Sequence, residues 1–179
     1  MKYHYLLLIV LAFLSCKEPQ ARKPVSVKSG HFLKNSVERT KKRLQQEHTH
    51  ILNYIANDST SVYHNSNLGF WYSYITQDSL ANTPKFGDKI TYTYSVSDLN
   101  NTPVYSTDDI GEQTYYIDQQ DDIIEGFRQG LKLIRKNETI KYIFPSQLAY
   151  GYRGDGHKIN INTPIVCTVQ LHDILTKTN

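Results

Sequence analysis

From Leu68 onward the sequence keeps a period of two, and that rhythm limits what the chain can become. Phe70, Tyr72 and Tyr74 alternate with Trp71, Ser73 and Ile75, and Lys89–Val96 alternates again after the turn-like run Thr83-Pro84-Lys85-Phe86-Gly87-Asp88. Asn100-Asn101 marks another turn, Val104–Thr107 and Gln113–Ile117 read as short strands, and Glu138–Phe144 and Ile165–Ile174 as longer ones. One stretch breaks the rhythm: Ile123, Ile124, Phe127 and Leu131 fall on one face of a brief helix. Antiparallel strands with a single short helix predict an α+β domain in which the helix covers one face of the sheet.

Ahead of the strands the period is helical. Leu33, Val37, Leu44, Ile51 and Ile55 recur at helical spacing, and Asn35 with Glu38 three residues on has the form of an N-terminal cap, so a helix is predicted over Ser36–Ala56. Its apolar stripe is thin. Such a helix packs weakly or pairs with another chain to make a dimer, and on this reading the strand domain folds without it. The cluster Arg39, Lys41, Lys42 and Arg43 reads as a solvated face. His48 and His50 stand two apart and cannot share a metal from one helix face.

The first residues carry an address. Lys2, the apolar run Leu6–Leu14 and then Ser15-Cys16 form a secretion signal, whose greasy core is far shorter than the ~20 residues a spanning helix needs. Cys16 stands where a bacterial lipoprotein signal places its acylated cysteine, and Phe13-Leu14-Ser15-Cys16 is similar to a loose lipobox; a plain secretory signal cut near Ser15 has the same greasy core. Residues 1–15 are thus the signal peptide, and 16–32, polar and with two prolines, a tether. Residues 33–65 form the helical segment and 66–179 the strand domain. With lipid on Cys16, Cys167 is left alone and no intramolecular disulfide forms. A net charge of +3 without a basic stripe argues against nucleic acid as a partner. There is no Gly-rich phosphate loop and no metal-ligand cysteine spacing, so neither cofactor nor metal is expected. The fourteen tyrosines suit a half-buried sheet or a sticky concave surface.

Three blocks, in order, carry a resemblance. Pro84-Lys85-Phe86-Gly87-Asp88-Lys89-Ile90 leading to Tyr94, then Ile123-Ile124-Glu125-Gly126-Phe127-Arg128-Gln129-Gly130-Leu131, then Phe144-Pro145-Ser146-Gln147-Leu148-Ala149-Tyr150-Gly151, resemble the FKBP-type peptidyl-prolyl isomerases. The resemblance implies a five- or six-stranded antiparallel sheet wrapped around the short helix, with an apolar basket between them that takes proline-containing polypeptides. It places Tyr94 as a wall and Phe127 as the floor in place of the usual Trp. The Ile124 backbone N–H and the Tyr150 hydroxyl hold substrate carbonyls, and Val104, Tyr105, Ile123, Ile159 and Cys167 complete the lining. Without the family, Ile123, Ile124 and Phe127 would read as ordinary core.

Departures from the family's pattern accompany the match. Val104-Tyr105 replaces its Phe-Asp pair and removes a carboxylate, so Tyr105→Asp is expected to raise turnover if the site is a degraded isomerase and the buried Asp finds a partner, and to destabilise the domain if it does not. Cys167 and Thr114 stand in for aromatic residues, and the Ile-Pro-Pro loop reads Ile159-Asn160-Ile161. A basket altered in this way either isomerises prolyl bonds or only binds chains. Asp155 and His157 read as solvated loop residues. Lipobox, tether, helix and isomerase domain together look like the peptidyl-prolyl isomerase lipoproteins associated with gliding motility. That resemblance implies clients among envelope or motility proteins and a place in the cell envelope, at the outer membrane.

Overall fold

A computed structural model describes residues 29–120 and 122–176. The signal peptide, Cys16 and the tether up to residue 28 lie outside the described residues. The chain divides into two compact units, Met1–Arg39 and Thr40–Asn179. In the first, the described part is the start of helix α1 (Ser29–Asn57), where Leu33 and Val37 are exposed. The Asn35 carbonyl accepts from Arg39 Nε at 3.2 Å, and the helix begins at Ser29. Asn35 therefore sits inside the helix and does not cap it.

The second unit is the sheet domain. Its strands are β1 (His64–Asn65), β2 (Trp71–Thr76), β3 (Lys89–Ser97), β4 (Pro103–Tyr105), β5 (Gln113–Tyr116), β6 (Thr139–Phe144) and β7 (Ile165–Leu175). They form one seven-stranded sheet in the order β1-β2-β6-β7-β3-β4, with β5 also paired to β3 and every pairing antiparallel. The sheet exceeds the expected five or six strands, and the two-residue β1 is one that sequence alternation is too short to reveal. Between β4 and β5 a one-turn helix α2 (Thr107–Ile110) is held by a capping box of Ser106 and Asp109. Helix α3 spans Glu125–Gly130, shorter than predicted. Ile123 and Ile124 precede it, and Ile124 is an extended N-cap residue with φ −62° and ψ 148°.

Alternation places the core. Ile90 and Tyr92 of β3, Ile140, Tyr142 and Phe144 of β6, and Cys167, Val169 and Leu171 of β7 share one buried cluster with Phe127 and Leu131. Two apolar residues of opposite phase are buried as well. Ile143 and Val166 face each other across β6 and β7, with Trp71 next in the row on β2. Against Ile143 and Val166 pack Ile51 and Tyr54 of α1, with Ile55, Trp71 and Leu99 at the margin. The lower part of α1, from Thr40, is thus built into the domain. This corrects the reading of a weakly packed helix, because the second face of the sheet is apolar where α1 crosses it. The end of α1 is tied down further: Asp58 accepts from Thr60, Tyr63 and Lys141. Burial works against the Asp58 carboxylate, but these hydrogen bonds outweigh it and hold its pKa well below the usual range.

Candidate functional site

The site is assembled from β3, α3, the turn after β6 and the loop before β7. Tyr94 continues the inward row of β3 beyond buried Ile90 and Tyr92 and is itself half-buried. The Phe127 ring meets it edge-to-face, with centroids 4.7 Å apart, and is held from below by Phe144 at 5.6 Å. Phe127 is 3% exposed, as befits a floor. Helix α3 can approach this closely because residue 126 is glycine: a Cβ there would lie 2.6 Å from the Phe144 ring.

The turn 145–151 brings Tyr150 to the same place. Leu148 and Ala149 donate to the Pro145 carbonyl, and Gly151 donates to the Ser146 carbonyl at 2.8 Å. The Leu148 carbonyl accepts from Gly126 N at 2.7 Å, which satisfies an amide of the first turn of α3 and ties the Tyr150 turn to the Phe127 helix. The Ile124 carbonyl is taken by Phe127 N and Arg128 N. Its N–H, like the Tyr150 and Tyr94 hydroxyls, makes no hydrogen bond to another described residue. Burial, with smaller effects from neighbouring Tyr94, Cys167 and Asp155, pushes the Tyr150 pKa up. Burial does the same for Tyr94, with Cys167 and Tyr105 adding to it. Both phenols therefore remain protonated donors through neutral pH.

The loop from Gly151 to Asn162 closes over one side. Asn162 N donates to the Gly151 carbonyl at 2.6 Å, and Ile159, 4% exposed, points its bulk into the core cluster. Gly154 has φ +68°, and a Cβ on it would fall 2.5 Å from the Ile159 carbonyl oxygen, so only glycine suits this bend. Asp155 organises the loop: Oδ1 accepts from His157 N and Ile159 N, each at 2.8 Å, and Oδ2 accepts from the Tyr105 hydroxyl at 2.5 Å. Lys158 Nζ lies 4.9 Å above the Tyr105 ring and donates to the Val104 carbonyl at 3.2 Å. Asp155 is therefore a bonded hinge pin and not a solvated loop residue. Partial burial opposes its charge, yet the Tyr105 hydroxyl and the two amides win and lower its pKa. Its stabilising contribution is present at neutral pH and is lost only as pH falls below the ordinary value of 3.8.

Of the predicted residues, Tyr94, Ile123, Ile124, Tyr150, Val104 and Tyr105 are half-buried around the cluster that holds Phe127, Ile159 and Cys167. Cys167 is fully buried, and burial drives its pKa up, so it contributes packing as a neutral thiol. Thr114 lies on β5 and is exposed. A separate groove of ≈ 700 Å³, lined by Lys85, Phe86, Lys136 and Ile174 among others, contains none of the predicted site residues.

An antiparallel sheet, a short helix and, between them, an aromatic basket with uncommitted donors at its rim make a concave, mostly apolar site with a few polar groups. The model of the FKBP-type peptidyl-prolyl cis-trans isomerase family matches residues 81–172, and the chain belongs to that family. A probable FKBP-type peptidyl-prolyl cis-trans isomerase of Haemophilus influenzae is 32% identical over 59 residues. That match covers 33% of this chain and 24% of the relative, so it spans about a quarter of the relative's length. Among solved structures, a peptidyl-prolyl cis-trans isomerase from Pseudomonas syringae pv. tomato is similar with TM-score 0.61 and 20% identity, over 76% of this chain and 96% of its own. FkpA from Escherichia coli gives TM-score 0.59 and 19% identity over 98% of this chain and 82% of its own. At such identities the two structures show the shared fold.

Proposed function

We propose that the chain is a membrane-anchored prolyl isomerase that assists the folding of envelope or motility proteins. The observation that carries the enzymatic part is the basket itself: Phe127 beneath Tyr94 at 4.7 Å, with the Ile124 N–H and Tyr150 hydroxyl not taken up by other described residues. An X-Pro bond isomerises over a barrier of ~18–20 kcal/mol set by amide resonance, and twisting the C–N bond removes that resonance. Catalysis then requires a site that prefers the twisted amide to either planar form. The apolar basket favours the weaker dipole of the twisted carbonyl, while Ile124 N–H and Tyr150 Oη–H hold the neighbouring carbonyls and fix the chain in a turn. No proton is transferred and no covalent bond to the protein forms.

Tyr150→Phe removes one donor and leaves the ring. A protease-coupled assay on Ala-Xaa-Pro-Phe peptides is expected to show kcat/KM lowered by about two- to tenfold, the equivalent of one hydrogen bond, with an unchanged unfolding midpoint. An unaltered rate would remove Tyr150 from the site.

The anchoring part rests on Lys2, Leu6–Leu14 and Ser15-Cys16. Among the described residues no helix is long and apolar enough to cross a membrane. Acyl chains on Cys16 are the proposed attachment, stable because more than one chain is present. Cys16→Ala is expected to move the protein from washed membranes to the soluble fraction; pelleting of the variant after high salt would contradict the anchor. Clients in the envelope or in a motility machine, and a dimer formed through α1, belong to the same proposal. A second reading, a basket that binds chains without turning them over, is favoured by the lost carboxylate at Tyr105.

A further inference from the structure

Glu47 of α1 sits 99 residues from Ser146 in sequence, is 7% exposed, and reaches the turn that carries Tyr150. Its Oε1 accepts from Ser146 N at 2.5 Å and its Oε2 from Ser146 Oγ at 2.7 Å. The nearest cation is at the margin, with Arg43 Nη1 3.8 Å away. A carboxylate this buried is costly unless its hydrogen bonds are good, and both of its oxygens accept from Ser146.

What it holds is the root of the site. The Ser146 N–H belongs to the same peptide unit as the Pro145 carbonyl, which accepts from Leu148 N at 2.9 Å and Ala149 N at 3.1 Å. A carboxylate on the N–H polarises that carbonyl and strengthens the bonds it receives. The carbonyl of Ser146 itself accepts from Ala149 N and Gly151 N, bracketing Tyr150, and the Leu148 carbonyl between them binds Gly126 N of α3. Glu47 is thus one peptide unit away from the bonds that set the turn around Tyr150.

We infer that Glu47 is a positioning residue for the basket, acting through Ser146 on the turn 145–151, so that the seating of α1 on the sheet is felt at Tyr150. The inference rests on the isomerase reading for its kinetic consequence but not for its structural one. Anything that lifts the lower part of α1 from Ile143 and Val166 withdraws the carboxylate from Ser146 and loosens the rim donor.

The test uses the full chain with Glu47→Leu, which keeps volume and removes both acceptors, and Glu47→Gln, which keeps an acceptor for Ser146 N and offers a donor to Ser146 Oγ. Hydrogen exchange followed by mass spectrometry is read for the segment 145–151 and, as reference, for β3. Glu47→Leu is expected to speed exchange in 145–151 by about tenfold with β3 unchanged, to lower kcat/KM by about tenfold, and to be largely rescued in Glu47→Gln. In a Tyr150→Phe background the Glu47→Leu change should lower kcat/KM by less than about twofold, since the two act as one unit. Ser146→Ala, which retains the N–H bond, should show the same local exchange change at smaller size, and serves if Glu47→Leu fails to fold. Unchanged exchange in 145–151, equal effects of Leu and Gln, or a full Glu47→Leu effect without the Tyr150 hydroxyl would each overturn the inference. Should the wild type turn over no peptide while the exchange pattern appears, the isomerase reading falls and the positioning by Glu47 stands.

Discussion

A chain starting at Ser66 is expected to lose about 5 kcal/mol of stability relative to one starting at Thr40. Burial of Ile51 and of Tyr54 contributes about 1.5–3 kcal/mol each, and the charged hydrogen bonds of Glu47 to Ser146 add a comparable amount. The loss also uncovers Ile143, Val166 and Trp71, a contiguous apolar row on an otherwise polar face. Against a total of about 5–15 kcal/mol for a domain, this is a large fraction. Thermal unfolding followed by circular dichroism should place the midpoint of the shorter chain about 15 °C lower, and the chain from Thr40 close to the full-length protein. Equal midpoints for the two would return α1 to the status of a dispensable appendage.

The second large effect concerns Tyr105. The family's pattern has a carboxylate there, and the sequence alone suggests that Tyr105→Asp repairs the site. With the structure in hand the expected sign reverses. The Tyr105 hydroxyl donates to Asp155, and a carboxylate at 105 both deletes that donor and faces the existing charge with a like one. It also removes the ring beneath Lys158 Nζ. The loop 151–162 is then left with the Lys158 Nζ bond to the Val104 carbonyl as its hydrogen bond to β4, which loosens the seat of Ile159. Tyr105→Asp should therefore lower kcat/KM by at least about tenfold and speed proteolysis within the loop, while Tyr105→Phe, which keeps the ring, falls between it and wild type. A rise in kcat/KM for Tyr105→Asp would mean that the missing carboxylate, and not the loop, limits the site.

Much of this molecule could be read from its residues. The long strands β3, β6 and β7 follow apolar alternation, and the blocks around Gly87, Gly126 and Tyr150 were enough to place Tyr94, Ile124, Phe127 and Tyr150 together. Other features were hidden for physical reasons. The capping form of Asn35 and Glu38 predicts a later start for α1, whereas the helix runs on through Ser29–Lys34. The docking of α1 had a signal, the apolar Ile143 and Val166 on the outward phase of β6 and β7, but it points to a cover without naming which element supplies it. The apolar phase that Ile123 and Ile124 share with Phe127 predicts a longer α3, yet both precede the helix and Ile124 is extended. The pairs Tyr105–Asp155 and Glu47–Ser146 join residues 50 and 99 apart, and polar partners at such separations follow from the fold and not from any local pattern.

Whether the basket turns prolyl bonds over or only grips them is the central matter, and two-dimensional exchange NMR on an Ala-Xaa-Pro-Phe peptide with a catalytic amount of the full chain reads it without a coupling protease. Isomerase action predicts cis–trans exchange cross-peaks that grow in with a rate proportional to protein concentration and fall in Tyr150→Phe. Line broadening and shifts of the proline resonances that show binding, with a cis–trans exchange rate equal to that of the free peptide, would contradict it and leave a chain-binding basket in its place.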